Sequence, residues 1–170
     1  MRLALLGLFA ASLFSAEIAV AEPCASSVDQ GAFDTAALKS ELMVVALTCN
    51  RRDDYNLFVQ RFRPDLTREE RALNTWFSRA YGKRARQMHD DYITSLANSE
   101  SQQGMRRGTL FCQEHTSLFP TVLGLHGAEQ LVNFAAHRPQ PQPITLTSCT
   151  RVHPAGGHAQ RPVRTAQQGR

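Results

Sequence analysis

Leu38-Lys39-Ser40-Glu41-Leu42-Met43-Val44-Val45-Ala46-Leu47-Thr48-Cys49 is the stretch on which the fold turns. It holds the longest apolar run beyond the first 21 residues. Leu38, Leu42, Val45 and Cys49 recur at helical spacing and share one face. That face ends on a thiol, so the most apolar helix in the chain also carries a candidate cross-link.

Working outward, the N-terminus reads as an export leader. Met1-Arg2 supplies the cation, and Leu3 to Phe14 is largely apolar. Ala19-Val20-Ala21 before Glu22 forms a small-residue cleavage site. The apolar core is too short to anchor in a bilayer. Glu22-Pro23 before Cys24 is a poor setting for lipid attachment to that cysteine. Cleavage after Ala21 leaves about 150 residues, enough for one domain with a moderate core. The expected product is periplasmic or secreted, with no transmembrane anchor after cleavage. The expected organisation is a signal peptide over 1–21, a helical domain over 22–136 and a tail over 137–170.

The net charge is +4, and its placement matters more than its size. From 137 onward Arg138, Arg151, Arg161, Arg164 and Arg170 face no Asp or Glu, whereas residues 22–136 are close to neutral. A nucleic-acid partner would need a basic face on the folded body, so none is expected. An anionic surface or an envelope protein touched by the Arg tail fits the asymmetry better.

Cys24, Cys49, Cys112 and Cys149 all follow the leader, and their number is even. In an oxidising compartment they read as two disulfides. Three connectivities are open. Cys49–Cys112 is favoured because both lie in helical stretches with apolar neighbours, which leaves Cys24–Cys149 to tie the flanks. No C-x-x-C or C-x-x-C-H occurs, so catalytic or haem-bearing thiols are not expected.

In chain order, Glu22–Phe33 reads as irregular, and Asp34 or Thr35 as the cap of a first helix reaching Cys49. Asn50-Arg51-Arg52 is a break. Asp53 or Asp54 would cap a second helix whose Tyr55, Phe58, Val59 and Phe62 form one stripe, ended by Pro64. Thr67-Arg68-Glu69-Glu70 is a capping-box sequence, followed by a helix with Leu73, Trp76, Phe77 and Ala80 on one face and Gly82 at its end. A fourth helix is predicted over 83–101 with Ala85, Met88, Tyr92 and Leu96 inward, then a loop over 102–108. A fifth begins near Thr109 with Phe111, His115, Leu118 and Val122 aligned and a break at Pro120. Ala128, Leu131, Val132 and Ala135 mark a sixth. Pro139, Pro141 and Pro143 favour extended backbone, Ile144–Cys149 reads as a short extended segment, and the rest reads as disordered.

Several strings belong together: Leu38-Lys39-Ser40-Glu41-Leu42-Met43, Ala46-Leu47-Thr48-Cys49, Tyr55-Asn56, Phe58-Val59, Leu96-Ala97-Asn98 and Phe111-Cys112. Across about 34–125 the chain resembles a family of small exported bacterial helical proteins without an assigned activity. The resemblance implies a helical fold and gives weight to Cys49 and Cys112. It carries over no catalytic residue.

The chemical candidates are few. His89-Asp90-Asp91 sets a base beside two carboxylates, but neighbours on a helix point about 100° apart, so a solvated face explains them. Asp53-Asp54 reads as helix-start charge. Cys112-x-x-His115 offers two ligand types, but an oxidised Cys112 is withdrawn from that role. His137, His153 and His158 lie in or beside a segment without a rigid frame. No G-x-S-x-G, H-E-x-x-H, P-loop or dinucleotide fingerprint occurs. Tyr55, Phe58, Phe62, Trp76, Phe77, Tyr92, Phe111 and Phe119 line a core or, alternatively, a ligand cavity.

The sequence therefore predicts an all-α bundle of five or six helices stapled by disulfides, with a basic tail, and no cofactor or metal. The leading functional class is a non-catalytic periplasmic accessory, binding or envelope-interaction protein. The alternatives are a small envelope hydrolase pairing His89 or His115 with a carboxylate or hydroxyl, and a small-molecule carrier with an aromatic-lined cavity.

Overall fold

The computed structural model describes residues 23–149. The expected leader and the segment 150–170, with His153 and His158, lie outside them. The described residues form α1 (Ser27–Thr48), α2 (Arg52–Arg61), α3 (Arg63–Tyr81), a 3-10 turn (Gly82–Arg84), α4 (Ala85–Arg107), α5 (Leu110–His115), α6 (Leu118–Leu123) and α7 (Gly127–Ala136). No strand occurs among them. The fold is the all-α, disulfide-stapled bundle that the periodicity predicts.

Helix α1 is the spine, and α2, α3, α4, α5 and α7 all pack on it. Its two halves feed two separate cores. The C-terminal half contributes Leu38, Leu42, Val45 and Ala46 to a core completed by Phe58, Phe62, Phe111, Phe119, Val122 and Leu131. The N-terminal half contributes Ala32, Phe33 and Ala37 to a second core with Leu73, Trp76, Phe77, Tyr92 and Leu96. In the second core the Phe33 ring meets Trp76 and Tyr92 edge-on, at 4.9 and 5.1 Å between centroids. Edge-on packing of this kind adds about 1 kcal/mol per pair beyond area burial.

Helix α1 begins seven residues before the predicted cap. Ser26 and Asp29 form a reciprocal capping box: the Asp29 amide donates to Ser26 Oγ at 3.2 Å, and the Ser26 amide donates to Asp29 Oδ2 at 2.8 Å. An aspartate stands where a glutamate is usual, which hid the signal. Gly31 inside this turn is a close-approach position: a Cβ there would sit 2.8 Å from Val132 Cγ1 of α7.

Other boundaries also move. Asp53 and Asp54 lie in the first turn of α2, and neither caps it; Arg51 holds that position and pairs with Asp54. Pro64 opens α3 instead of ending α2, because a proline in the first turn has no N–H to leave unpaired. Thr67 is therefore interior, and its hydroxyl donates to the Arg63 carbonyl at 2.8 Å. Gly82 takes φ 53° and ends α3 as predicted, a conformation that a Cβ disfavours. The predicted loop over 102–108 is helix to Arg107, with Gly104 under the Phe111 ring. The break between α5 and α6 falls at Thr116-Ser117, and Pro120 sits in the first turn of α6.

Both ends of α1 are cross-linked. Cys49, the C-terminal cap of α1, is bonded to Cys112 of α5. Cys24, just before α1, is bonded to Cys149. Between them a strap of residues 137–149 runs back along α1 toward its N-terminus. The Ala25 amide donates to the Thr147 carbonyl at 2.8 Å, and the Cys149 amide donates to the Ala25 carbonyl at 3.0 Å. Gln30 Nε2 donates to Ser148 Oγ at 2.9 Å, and Ile144 and Leu146 pack on the second core.

Candidate functional site

A groove of mixed chemistry lies where α1, α2, α3 and α4 meet. Ala36, Lys39, Ser40, Met43, Tyr55, Glu70 and Ile93 line one basin of about 110 Å³. A second basin, of about 230 Å³, is bounded by Val59, Arg63, Leu66 and Thr67 and shares Lys39 and Glu70 with the first. The α1 residues come from the i, i+3, i+4, i+7 series opposite the core face. Both basins are smaller than the pockets that engulf drug-sized ligands. Each accommodates a side chain or a small headgroup.

Opposite charges share this groove. Lys39, one of two lysines in the chain, forms no ion pair among the described residues. Glu70 Oε1 accepts from Asn74 Nδ2 at 3.3 Å and lies 3.0 Å from His89 Nε2, off the line of a good hydrogen bond. The Ser40 hydroxyl lies buried within the wall, with no partner among the described residues. Burial raises the Tyr55 phenol above its ordinary pKa, so it stays protonated.

His89 therefore meets a carboxylate that sequence adjacency did not point to. Its ring packs edge-on to Phe77 at 5.4 Å, with Asp90 Oδ1 3.5 Å from Nδ1. Together with Asn74, Ser78, Ala85, Arg86 and Asp90 it borders an open depression. Asp91 faces solvent.

His115 also meets a carboxylate, but in a closed setting. Its Nδ1 lies 3.1 Å from Glu41 Oε1, and its ring packs at a tilt against Phe111, 4.5 Å between centroids. Glu41, 3 % exposed, also accepts from Arg138 through both oxygens and from Gln140 Nε2 at 3.2 Å. Arg138 is steadied by the Phe134 ring. Glu100 of α4, equally buried, completes the cluster; burial, and then the charge of Glu41, push its pKa up to about 7 against the pull of Arg138. Glu41 is thus fully engaged, joining the strap to His115 of α5. Because Cys112 is oxidised, its sulfur is not a free thiolate beside His115.

The aromatic set divides between the two cores and does not line one shared cavity among the described residues. Tyr92 donates to Gln142 Oε1 of the strap at 2.9 Å. Burial and then the Asp34 charge raise its pKa, opposed by that bond. Asp53 is exposed, and His137 is exposed with Nδ1 2.7 Å from the Asn133 carbonyl. Among the described residues no group of three or more His, Cys, Asp or Glu is placed to hold a metal ion.

Glu41 was readable as an anomaly: it sits one helical turn from Leu38 on the face that Leu42 and Val45 bury. Glu100 continues the Tyr92, Leu96 spacing on α4. Arg138 and Lys39 gave no one-dimensional signal. No protein-family model, curated protein or solved structure matches this chain.

Proposed function

We propose that this chain is a non-catalytic, extracytoplasmic binding or accessory protein, exported to the periplasm or secreted, that holds a partner's side chain or headgroup in the Lys39–Glu70 groove. The observation that carries the reading is the groove itself: an ammonium without an ion pair among the described residues and a carboxylate, set among Met43, Tyr55 and Ile93. Two disulfides agree with an oxidising compartment. No helix among the described residues is long and apolar enough to cross a membrane. The Arg tail beyond Cys149 would add attraction to anionic envelope surfaces.

The test places a photo-crosslinking residue at Met43 and, as a control, at Glu129 of α7, in cells that export the protein. The reading expects a discrete adduct from Met43 that Lys39→Glu removes. Identical adducts from both positions would sink it. Deleting 150–170 should weaken binding to anionic vesicles; unchanged binding would remove the tail from the proposal.

A small hydrolase is the second reading, favoured by His89 at the edge of an open depression with Glu70 beside it. Here His89 would serve as general base, oriented by the carboxylate. Ester-hydrolysing activity abolished by His89→Ala would promote this reading over the first.

A further inference from the structure

The two disulfides sit in different surroundings. Cys49 and Cys112 are partly buried and pack against the first core. Cys24 and Cys149 are both exposed. A thiol must reach a sulfur along the S–S axis to exchange with it, so exposure separates labile bonds from inert ones.

The exposed bond also holds something down. Beyond Gln142 the strap is fixed by few contacts: Ile144 and Leu146 against the second core, two backbone hydrogen bonds at Ala25, one from Gln30, and the Cys24–Cys149 bond. Under this end of the strap lies a small apolar cavity of about 50 Å³, lined by Pro23, Trp76, Ala80, Tyr81, Ile144, Thr145 and Thr147. Trp76 is 5 % exposed, and its indole N–H has no partner among the described residues. The other end of the strap is anchored independently by Arg138 and Gln140 on Glu41.

We propose that Cys24–Cys149 is a thiol-exchange site for a dithiol reductant, and that its reduction frees residues 144–149 and uncovers an aromatic shelf at Trp76, Ala80 and Tyr81. In the first step a thiolate of the dithiol attacks one cysteine sulfur, and the other leaves as a thiolate and takes up a proton. In the second, the remaining donor thiol displaces the bound cysteine and closes the donor's own disulfide. Two electrons and two protons thus reach Cys24 and Cys149, and the donor is oxidised. Cys49–Cys112 stays closed throughout, so the body of the bundle persists.

The experiment equilibrates the folded protein in buffers of increasing reduced-to-oxidised dithiothreitol and maps free thiols by differential alkylation and mass spectrometry. Cys24 and Cys149 should open at a ratio at least about tenfold lower than Cys49 and Cys112, a separation of about 30 mV. At that ratio the amides of Ala25 and Cys149 should lose hydrogen-exchange protection, while the Arg138 amide keeps its own. Emission from Trp76, the single tryptophan, should shift to the red. Joint opening of both bonds, earlier opening of Cys49–Cys112, or unchanged protection at Ala25 after reduction would each overturn the proposal. The double variant Cys24→Ser, Cys149→Ser should show the freed strap without reductant and retain helical circular dichroism. Loss of the helical signal would overturn it as well, since the body must survive strap release.

Discussion

Replacing Glu100 by Gln should stabilise the protein at pH 8 and leave it unchanged at pH 4. The carboxyl is buried beside Glu41, and its folded pKa stands near 7 against an ordinary value of 4.5. At about 1.4 kcal/mol per unit, that gap of roughly 2.5 units corresponds to at most about 3.5 kcal/mol. The sign follows from proton counting. Between pH 4.5 and 7 the folded state holds a proton that the unfolded chain has released, so stability falls as pH rises. The contribution is intact below the unfolded value and lost as pH passes the folded one. Gln mimics the protonated acid at every pH and escapes the loss. Thermal melts of both proteins from pH 4 to pH 8 should therefore diverge progressively, by about 10 °C at the top of the range for a chain of this size. A constant gap across the range, or coincident melts at pH 8, would refute the reasoning.

Glu41→Gln takes the anion away from Arg138, Gln140 and His115 together, and should lower the unfolding free energy by about 3 kcal/mol in urea titrations. Gly31→Ala drives a methyl group into Val132 and should cost about 1–3 kcal/mol by the same measurement, with α7 showing the largest amide shifts in NMR spectra. Ser26→Ala removes one half of the box that starts α1. It should cost about 1 kcal/mol, read as a lowered melting temperature with faster hydrogen exchange over residues 29–31. Burial would raise the Asp29 carboxyl, but hydrogen bonds from Ser26 and Arg79 hold it below its ordinary range, so this contribution should fade as the pH falls through the acidic range.

The helices were legible wherever burial follows period. The Leu38, Leu42, Val45 series and the Tyr55, Phe58, Phe62 stripe both lie where their spacing placed them. Starts and stops were harder, because side-chain chemistry can serve either purpose. Pro64 could end one helix or open the next, and only the single-residue junction at Phe62 decides between them. Ser26-x-x-Asp29 is a weaker capping signal than Thr67-x-x-Glu70, yet the first is the cap and the second is interior. The groove was less visible still. Lys39 and Glu70 are ordinary charged residues in sequence, and only the crossing of α1 with α3 brings them together. His89 was noticed for Asp90 and Asp91, whereas the carboxylate closest to its ring comes from another helix.

The bond between Cys24 and Cys149 has a topological consequence. It turns residues 24–149 into a covalent macrocycle, with Cys49–Cys112 as a chord across it. A protease that cuts once anywhere within this ring linearises it without liberating a fragment. The nicked molecule should migrate as one band on a non-reducing gel and separate into two only when thiol is added. Survival after a first cut is thereby built into the covalent structure, whatever the strength of the packing around it.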